Sequence, residues 1–101
     1  MKKYMENKTI KQLQQEIGEW AQQTFPHQTP NSKITHLLKE VIELRDKPDD
    51  AEEMADVAIL LFNLAEMFNY DLEVEIEKKM AKNRLRKWGE PDEQGVCSHI
   101  E

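Results

Sequence analysis

Apolar residues recur at helical spacing in four stretches of this chain. In the first, Ile10, Leu13, Ile17 and Trp20 fall on one side of a helix. Thr9 followed by Gln12 is a capping-box pattern, so this helix is expected to start there and run to about Thr24, with Gly18 weakening its middle. The segment from Phe25 to Asn31 contains Pro26 and Pro30 and reads as a connecting loop. Asn31 or Ser32 is the expected cap of a second helix whose apolar face is Ile34, Leu37, Leu38, Val41 and Leu44 and which ends before Pro48.

Asp49 with Glu52 forms another capping-box pattern and is expected to open a third helix that continues to about Phe68. Its centre, Val57-Ala58-Ile59-Leu60-Leu61-Phe62, is apolar almost all round. A monomer cannot bury such a helix at its surface, so a subunit interface is expected. A fourth helix begins near Asp71, turns Leu72, Ile76, Met80 and Leu85 inward, and ends by Gly89 and Pro91. The remainder, Asp92 to Glu101, reads as a polar tail. No internal repeat or low-complexity tract interrupts the pattern. The expected fold is therefore all-α: four helices in one domain over residues 1–101, a size at which help from a second subunit is plausible.

Composition agrees with helices. Charged residues make up 34% and apolar ones 39%, with 3 Gly and 4 Pro, a balance suited to long amphipathic helices rather than a turn-rich β fold. Acidic residues outnumber basic ones 20 to 14, for a formal net charge of -6, so nothing global draws the chain to nucleic acid or to an anionic membrane. An anionic substrate requires a metal ion or a local basic cluster. The apolar run Val57–Phe62 is too short to span a bilayer and the N-terminus has no signal-peptide core, which gives a cytoplasmic expectation. The single cysteine, Cys97, supports neither a disulfide nor a thiolate metal site. Without secretion, the sequon Asn7-Lys8-Thr9 carries no meaning.

The acidic residues change the picture by their placement. Glu40 and Glu43 are three apart in the second helix, and Glu53 and Asp56 are three apart in the third, so each pair projects from one side of its helix. Glu43 and Glu53 are equally distant from Pro48, and so are Glu40 and Asp56. An antiparallel hairpin turning there sets the pairs face to face. The members of a pair differ in height by roughly 4.5 Å and packed axes lie about 8 to 10 Å apart, a gap that fits a hydrated divalent cation. Oxygen ligands without His or Cys suit Mg²⁺, with Mn²⁺ as a substitute. A ferritin-like di-iron site needs Glu-x-x-His, and His27, His36 and His99 all lack a Glu three positions earlier. Acidic residues on helices are ordinarily just solvated; the symmetric spacing is what argues for more. Glu52 is assigned to the cap.

A basic cluster lies in the fourth helix, where Lys79, Asn83 and Arg86 are spaced by four and three along one stripe, flanked by Lys82 and Arg84. Such cations suit phosphate oxygens. They are equally ordinary partners of a helix C-terminus. Beside a metal site the phosphate role gains weight.

Taken together, His36-Leu37-Leu38-Lys39-Glu40-Val41-Ile42-Glu43-Leu44, then Glu53-Met54-Ala55-Asp56, then Lys79, Asn83 and Arg86 resemble the motifs of the MazG-like all-α nucleotide pyrophosphohydrolases over roughly residues 32 to 88. The resemblance implies that Glu40, Glu43, Glu53 and Asp56 bind Mg²⁺ and that Lys79, Asn83 and Arg86 contact a triphosphate. Members often carry adjacent glutamates in the first motif; here Lys39 precedes Glu40, which leaves the number of metal ions open. Trp20, Thr24-Phe25, the Arg86-Lys87-Trp88 ending and the tail Gly95-Val96-Cys97-Ser98-His99-Ile100 resemble the single-domain dATP/dGTP pyrophosphohydrolase-like branch of phages and bacteria. On that resemblance Trp20, Phe25 and His36 join the expected substrate contacts, although plain core packing is the ordinary role of Trp20, Phe25 and Trp88.

The implied chemistry is Mg²⁺-dependent hydrolysis of a (deoxy)nucleoside triphosphate, dATP or dGTP, to monophosphate and pyrophosphate, with Glu40 or Glu43 acting on the attacking water. The implied assembly is a homo-oligomer, a dimer or tetramer, without nucleic acid or membrane. The rival is a non-enzymatic helical dimerisation or regulatory module with solvated carboxylates and an apolar third helix at its interface.

Overall fold

A computed structural model describes residues 7–100. Four helices follow one another: α1 (Ile10–Thr24), α2 (Pro30–Asp46), α3 (Ala51–Met67) and α4 (Leu72–Leu85). Two short strands, β1 (Lys87–Trp88) and β2 (His99–Ile100), then pair antiparallel, with Lys87 opposite Ile100 and Trp88 opposite His99.

The helix starts are set by local hydrogen bonds. At α1 the expected box is present: Thr9 Oγ1 accepts from Gln12 N and Gln12 Oε1 accepts from Thr9 N, at 3.0 and 2.9 Å. Helix α2 starts earlier than its apolar face suggests. Thr29, not Asn31 or Ser32, is the cap; its Oγ1 accepts from Ser32 N while Ser32 Oγ accepts from Thr29 N, both at 3.0 Å. Pro30 thus belongs to the first turn of α2, where its missing N–H costs nothing. At α3 the cap is Asp50 rather than Asp49, its Oδ1 accepting from Glu52 N at 2.9 Å. Glu52 is then a first-turn acid facing the positive end of the helix, not the partner in a box. Asp71 caps α4, which begins where it was expected to.

Helix α3 is the centre of the protomer and packs against α2 on one side and α1 on the other. The α1 contact is close: a Cβ at Gly18 would stand 2.6 Å from Glu66 Cγ, so the glycine that weakens α1 also lets the two helices approach. Beside it the buried Gln14 side chain donates to Glu66 Oε1 and to the Tyr70 carbonyl, each at 2.8 Å, and accepts from Leu72 N at 3.0 Å. One carboxamide thereby satisfies the turn between α3 and α4 and ties it to α1.

Among the described residues the fully buried apolar side chains are Ala21, Leu60 and Ala65, a small core for a chain of this length. Helix α4 departs furthest from expectation. None of its residues is fully buried, Met80 and Ile76 stand open, and Leu85 is 88% exposed. Its packing partner is α1, because α1 and α2 already cover α3 within the protomer. Nor is the chain after α4 an unstructured tail. Trp88 Nε1 donates to the Asn83 carbonyl at 3.1 Å, and Asp92 Oδ1 accepts from the backbone of Gln94 and Val96, with Gly95 at a φ of 81°. No described helix is long and apolar enough to cross a membrane.

Candidate metal and nucleotide site

Helices α2 and α3 form the hairpin that the carboxylate spacing requires. The connection is short: the Asp50 N–H donates to the Lys47 carbonyl at 3.1 Å, and Asp50 then caps α3. Across it, one carboxylate oxygen each from Glu40, Glu43 and Glu53 lies within 4.8 Å of the others. Asp56 is exposed at the edge of the group, and its charge acts on both Glu40 and Glu53.

The electrostatics show a cluster under strain of its own making. Burial raises the Glu40 carboxyl above its ordinary pKa, and a hydrogen bond and charge from Glu43 add to the shift; His36, with Nε2 3.1 Å from Glu40 Oε1, acts against it, and Asp56 adds again. Burial likewise raises Glu53, helped by the charges of Glu43, Asp50, Glu40 and Asp56. Glu40 Oε2 and Glu53 Oε2 are shielded from solvent and have no hydrogen-bond partner. Two orphaned oxygens in a set of hard donors fit a divalent cation such as Mg²⁺ or Mn²⁺.

A cavity of about 150 Å³ adjoins this group. Glu40, Asp56 and His36 line one part of it, and Trp20 and Phe25 another. The two rings meet edge to face with centroids 5.5 Å apart, held by the end of α1 and its C-cap. Ile59 and Leu60 add apolar surface from α3. Thus Trp20, Phe25 and His36 gather with Glu40 and Asp56, and Glu43 and Glu53 gather with Glu40. Neither ring is buried as core; Trp20 is 52% exposed. Trp88 lies on β1 instead, 47% exposed, with its ring edge to face with His99.

Lys79, Asn83 and Arg86 are not among the residues that line this cavity. Their order along the chain runs from the last turns of the helix into its cap. Helix α4 ends at Leu85, and Arg86 is its extended C-cap, with φ -81° and ψ 150°, because the chain there turns into β1. Asn83 keeps a shielded Oδ1 without a partner.

Two lining residues escaped the sequence reading. Lys33 is buried, its Nζ sits 3.8 Å from the centroid of the Phe25 ring, and desolvation lowers its pKa. Asn63 is 2% exposed, donates from Nδ2 to Gln28 Oε1 at 3.1 Å, and leaves Oδ1 unpaired. A signal for both was available. Lys33 and Asn63 are equidistant from Pro48, as are His36 and Leu60, so the symmetry of the acidic pairs continues up the hairpin.

Comparison with known proteins gives the family. A family model described as dATP/dGTP pyrophosphohydrolase matches residues 13–101. A dATP/dGTP diphosphohydrolase of Cyanophage S-2L is 38% identical over 94 residues, covering 91% of this chain and 89% of the relative. A dATP/dGTP diphosphohydrolase of Salmonella phage PMBT28 is 40% identical over 93 residues, covering 91% of this chain and 32% of that longer protein. The structure of the Cyanophage S-2L MazG-like pyrophosphohydrolase, bound to dGDP and three catalytic Mn²⁺ ions per active site, superposes with a TM-score of 0.81 at 36% identity, covering 93% of this chain and 95% of that one. A match that begins within α1 and runs to the last residue takes in the aromatic cavity, the carboxylate hairpin and the terminal strands alike, and the chain belongs to the dATP/dGTP pyrophosphohydrolase family, with a MazG-like fold.

Proposed function

We propose that this chain hydrolyses dATP and dGTP to the monophosphate and pyrophosphate, with the purine in the Trp20–Phe25 cavity and the triphosphate over the carboxylates of α2 and α3. The observation that carries this reading is the continuity of the two halves: Glu40 and Asp56 line the same cavity as the two aromatic rings. An apolar slot flanked by rings suits a base, and a hard-oxygen cluster suits phosphate-bound cations. A solvated helical module gives no reason for orphaned carboxylate oxygens.

Glu40, Glu43, Glu53 and Asp56 would hold Mg²⁺, for which Mn²⁺ would substitute. When bound, the cation neutralises phosphate oxygens and lowers the pKa of a coordinated water. His36 holds one oxygen of Glu40, and the other, shielded and unpaired, would be left for the cation. Glu40 or Glu43 takes the proton as the water oxygen attacks the α-phosphorus and the bond to pyrophosphate breaks.

The protein acts as a homo-oligomer in the cytoplasm. Its small core and the open apolar residues Ile76 and Met80 on α4, with Leu38 and Leu61 on α2 and α3, support association of protomers. In that assembly α4 of one protomer brings Lys79, Asn83 and Arg86 to the phosphates held by its partner, which accounts for their absence from the cavity of their own chain. Pyrophosphate release from dATP and dGTP, measured with and without Mg²⁺, tests the reading. Failure of both nucleotides in the presence of metal overturns it.

A further inference from the structure

Adenine and guanine differ in polarity at one edge: the 6-substituent is an amino donor in adenine and a carbonyl acceptor in guanine. A single pocket that accepts both needs a group able to answer either. A carboxamide is such a group, since its oxygen accepts, its nitrogen donates, and a half-turn exchanges them at almost no change of shape.

Asn63 is a carboxamide in the right place. It lines the cavity with Trp20 and Phe25, is 2% exposed, and has an Oδ1 shielded from solvent and unpaired. Its Nδ2 donates to Gln28 Oε1 at 3.1 Å, and Gln28 Nε2 donates in turn to Gln22 Oε1 at 3.3 Å. Three carboxamides thus form a chain that runs from the cavity to Gln22, which is exposed. No other side-chain hydrogen bond among the described residues fixes Gln28 or Gln22. If all three amides turn over, Gln22 donates to Gln28 and Gln28 donates to Asn63, so both bonds survive. The atom left without a partner changes from Asn63 Oδ1 to Asn63 Nδ2. At the outer end water satisfies Gln22 in either sense, so neither direction leaves a buried group unpaired once a base is bound.

We propose that Asn63 reads the 6-position of the purine, and that reversal of the Gln22–Gln28–Asn63 amide chain lets one pocket take both dATP and dGTP. This rests on the cavity being the base site. With adenine, Oδ1 accepts from the amino group; with guanine, Nδ2 donates to the carbonyl.

The chain can be locked in either sense at Gln28. An ionised Glu at position 28 only accepts, so Gln28→Glu holds Asn63 Nδ2 and leaves Oδ1 for the base. A Lys only donates, so Gln28→Lys holds Oδ1 and leaves Nδ2. The expected result is that the ratio of kcat/KM for dATP to that for dGTP rises about tenfold in Gln28→Glu and falls about tenfold in Gln28→Lys, the scale of one mismatched buried hydrogen bond. The triphosphate of unsubstituted purine deoxyriboside, which has no 6-substituent, is expected to respond alike to both variants, which separates polarity reading from general damage to the pocket. Ratios within about twofold of the parent in both variants, or moving the same way in both, overturn the proposal. Should Gln28→Lys not fold, the rise in Gln28→Glu alone decides. Trp20→Ala tells the two levels apart. If it raises KM for both nucleotides while the Gln28 variants leave the ratio unmoved, only the amide chain is wrong; if it leaves KM unchanged, the base site itself is elsewhere and the proposal falls with it.

Discussion

The α2–α3 hairpin is net acidic, with nine acidic against four basic residues, while the segment that follows it, α4 with the β1–β2 pair, balances six against six over Leu72–Ile100, and the two are built in opposite ways. The hairpin's acidic residues meet within one chain, across a turn of a few residues, with their oxygens within 4.8 Å. The basic residues of α4 meet nothing of the kind: the helix has no fully buried residue, and Lys79, Asn83 and Arg86 are away from the cavity. On the proposed reading, the contrast teaches that carboxylates close in sequence can gather within one protomer, whereas a phosphate contact made by a distant helix waits for assembly.

The largest expected effect tests the complete half. Glu53→Gln or Asp56→Asn is expected to lower pyrophosphate release by about a hundredfold while the helical circular dichroism is retained, since loss of a charged oxygen weakens a hard-cation site more than it disturbs a helix face. Full activity of either variant at limiting Mg²⁺ removes that residue from the site. The incomplete half is tested next. Arg86→Ala and Lys79→Ala are expected to cost about ten- to a hundredfold in kcat/KM with little change in thermal midpoint, as for a lost charge-assisted hydrogen bond to phosphate. If these cations only complement a helix C-terminus, about 0.3 to 1 kcal/mol of stability is lost and the kinetics are unchanged.

Mixing sharpens the comparison further. When Glu53→Gln and Arg86→Ala chains are co-expressed in equal amounts, a dimer that shares its sites across the interface regains one intact site in each mixed pair, about a quarter of the parent activity. Activity no higher than the separate variants means that each chain completes its own site. The same assembly predicts a sedimentation mass of a dimer or more at micromolar concentration.

The smallest effect is one of pH. Glu40 and Glu53 have folded-state pKa values above their ordinary ones, so the metal-free folded state holds protons more tightly than the unfolded state. Their stabilising contribution is present below the ordinary carboxylate pKa and is lost as pH rises through the raised values. Mg²⁺ favours the ionised forms, so its increment in thermal midpoint is expected to be larger at pH 7.5 than at pH 5. Equal increments at the two values would show that these carboxyls do not face the ion.

Much of this was legible in the residues because it is local. Thr9 and Gln12 cap α1 as written, and Glu40, Glu43 and Glu53 converge because their distances from Pro48 leave a hairpin little choice. The readings that failed depended on the competition between nearby groups or on distant packing. Thr29 outcompetes Ser32 as a cap because Pro30 suits the first turn and Ser32 can return the bond, and Asp50 displaces Asp49 by one residue of register. Ile76, Met80 and Leu85 have a helical pattern without a face to meet in the protomer, which no periodicity reveals. Helix α4 ends at Leu85 and Trp88 then pairs with His99 across ten intervening residues, a contact no local pattern announces. Lys33 and Asn63 were missed because each alone reads as an ordinary polar residue; only their shared distance from the turn marks them.

That shared distance has a consequence for how the molecule tolerates change. From Lys33 opposite Asn63, through His36 and Leu60, to Glu40 with Asp56 and Glu43 with Glu53, the hairpin is a ladder whose rungs run from the aromatic cavity to the carboxylate cluster over about 15 Å of helix. The turn at Lys47–Asp50 sets the register of every rung at once. One residue added within either arm, between the turn and Glu43 or Glu53, rotates that rail by about 100° against the other and parts all the rungs together, leaving each helix intact and the ruler unreadable. Substitutions are therefore absorbed rung by rung, while a change of length near the turn removes the carboxylate end and the aromatic end in a single step.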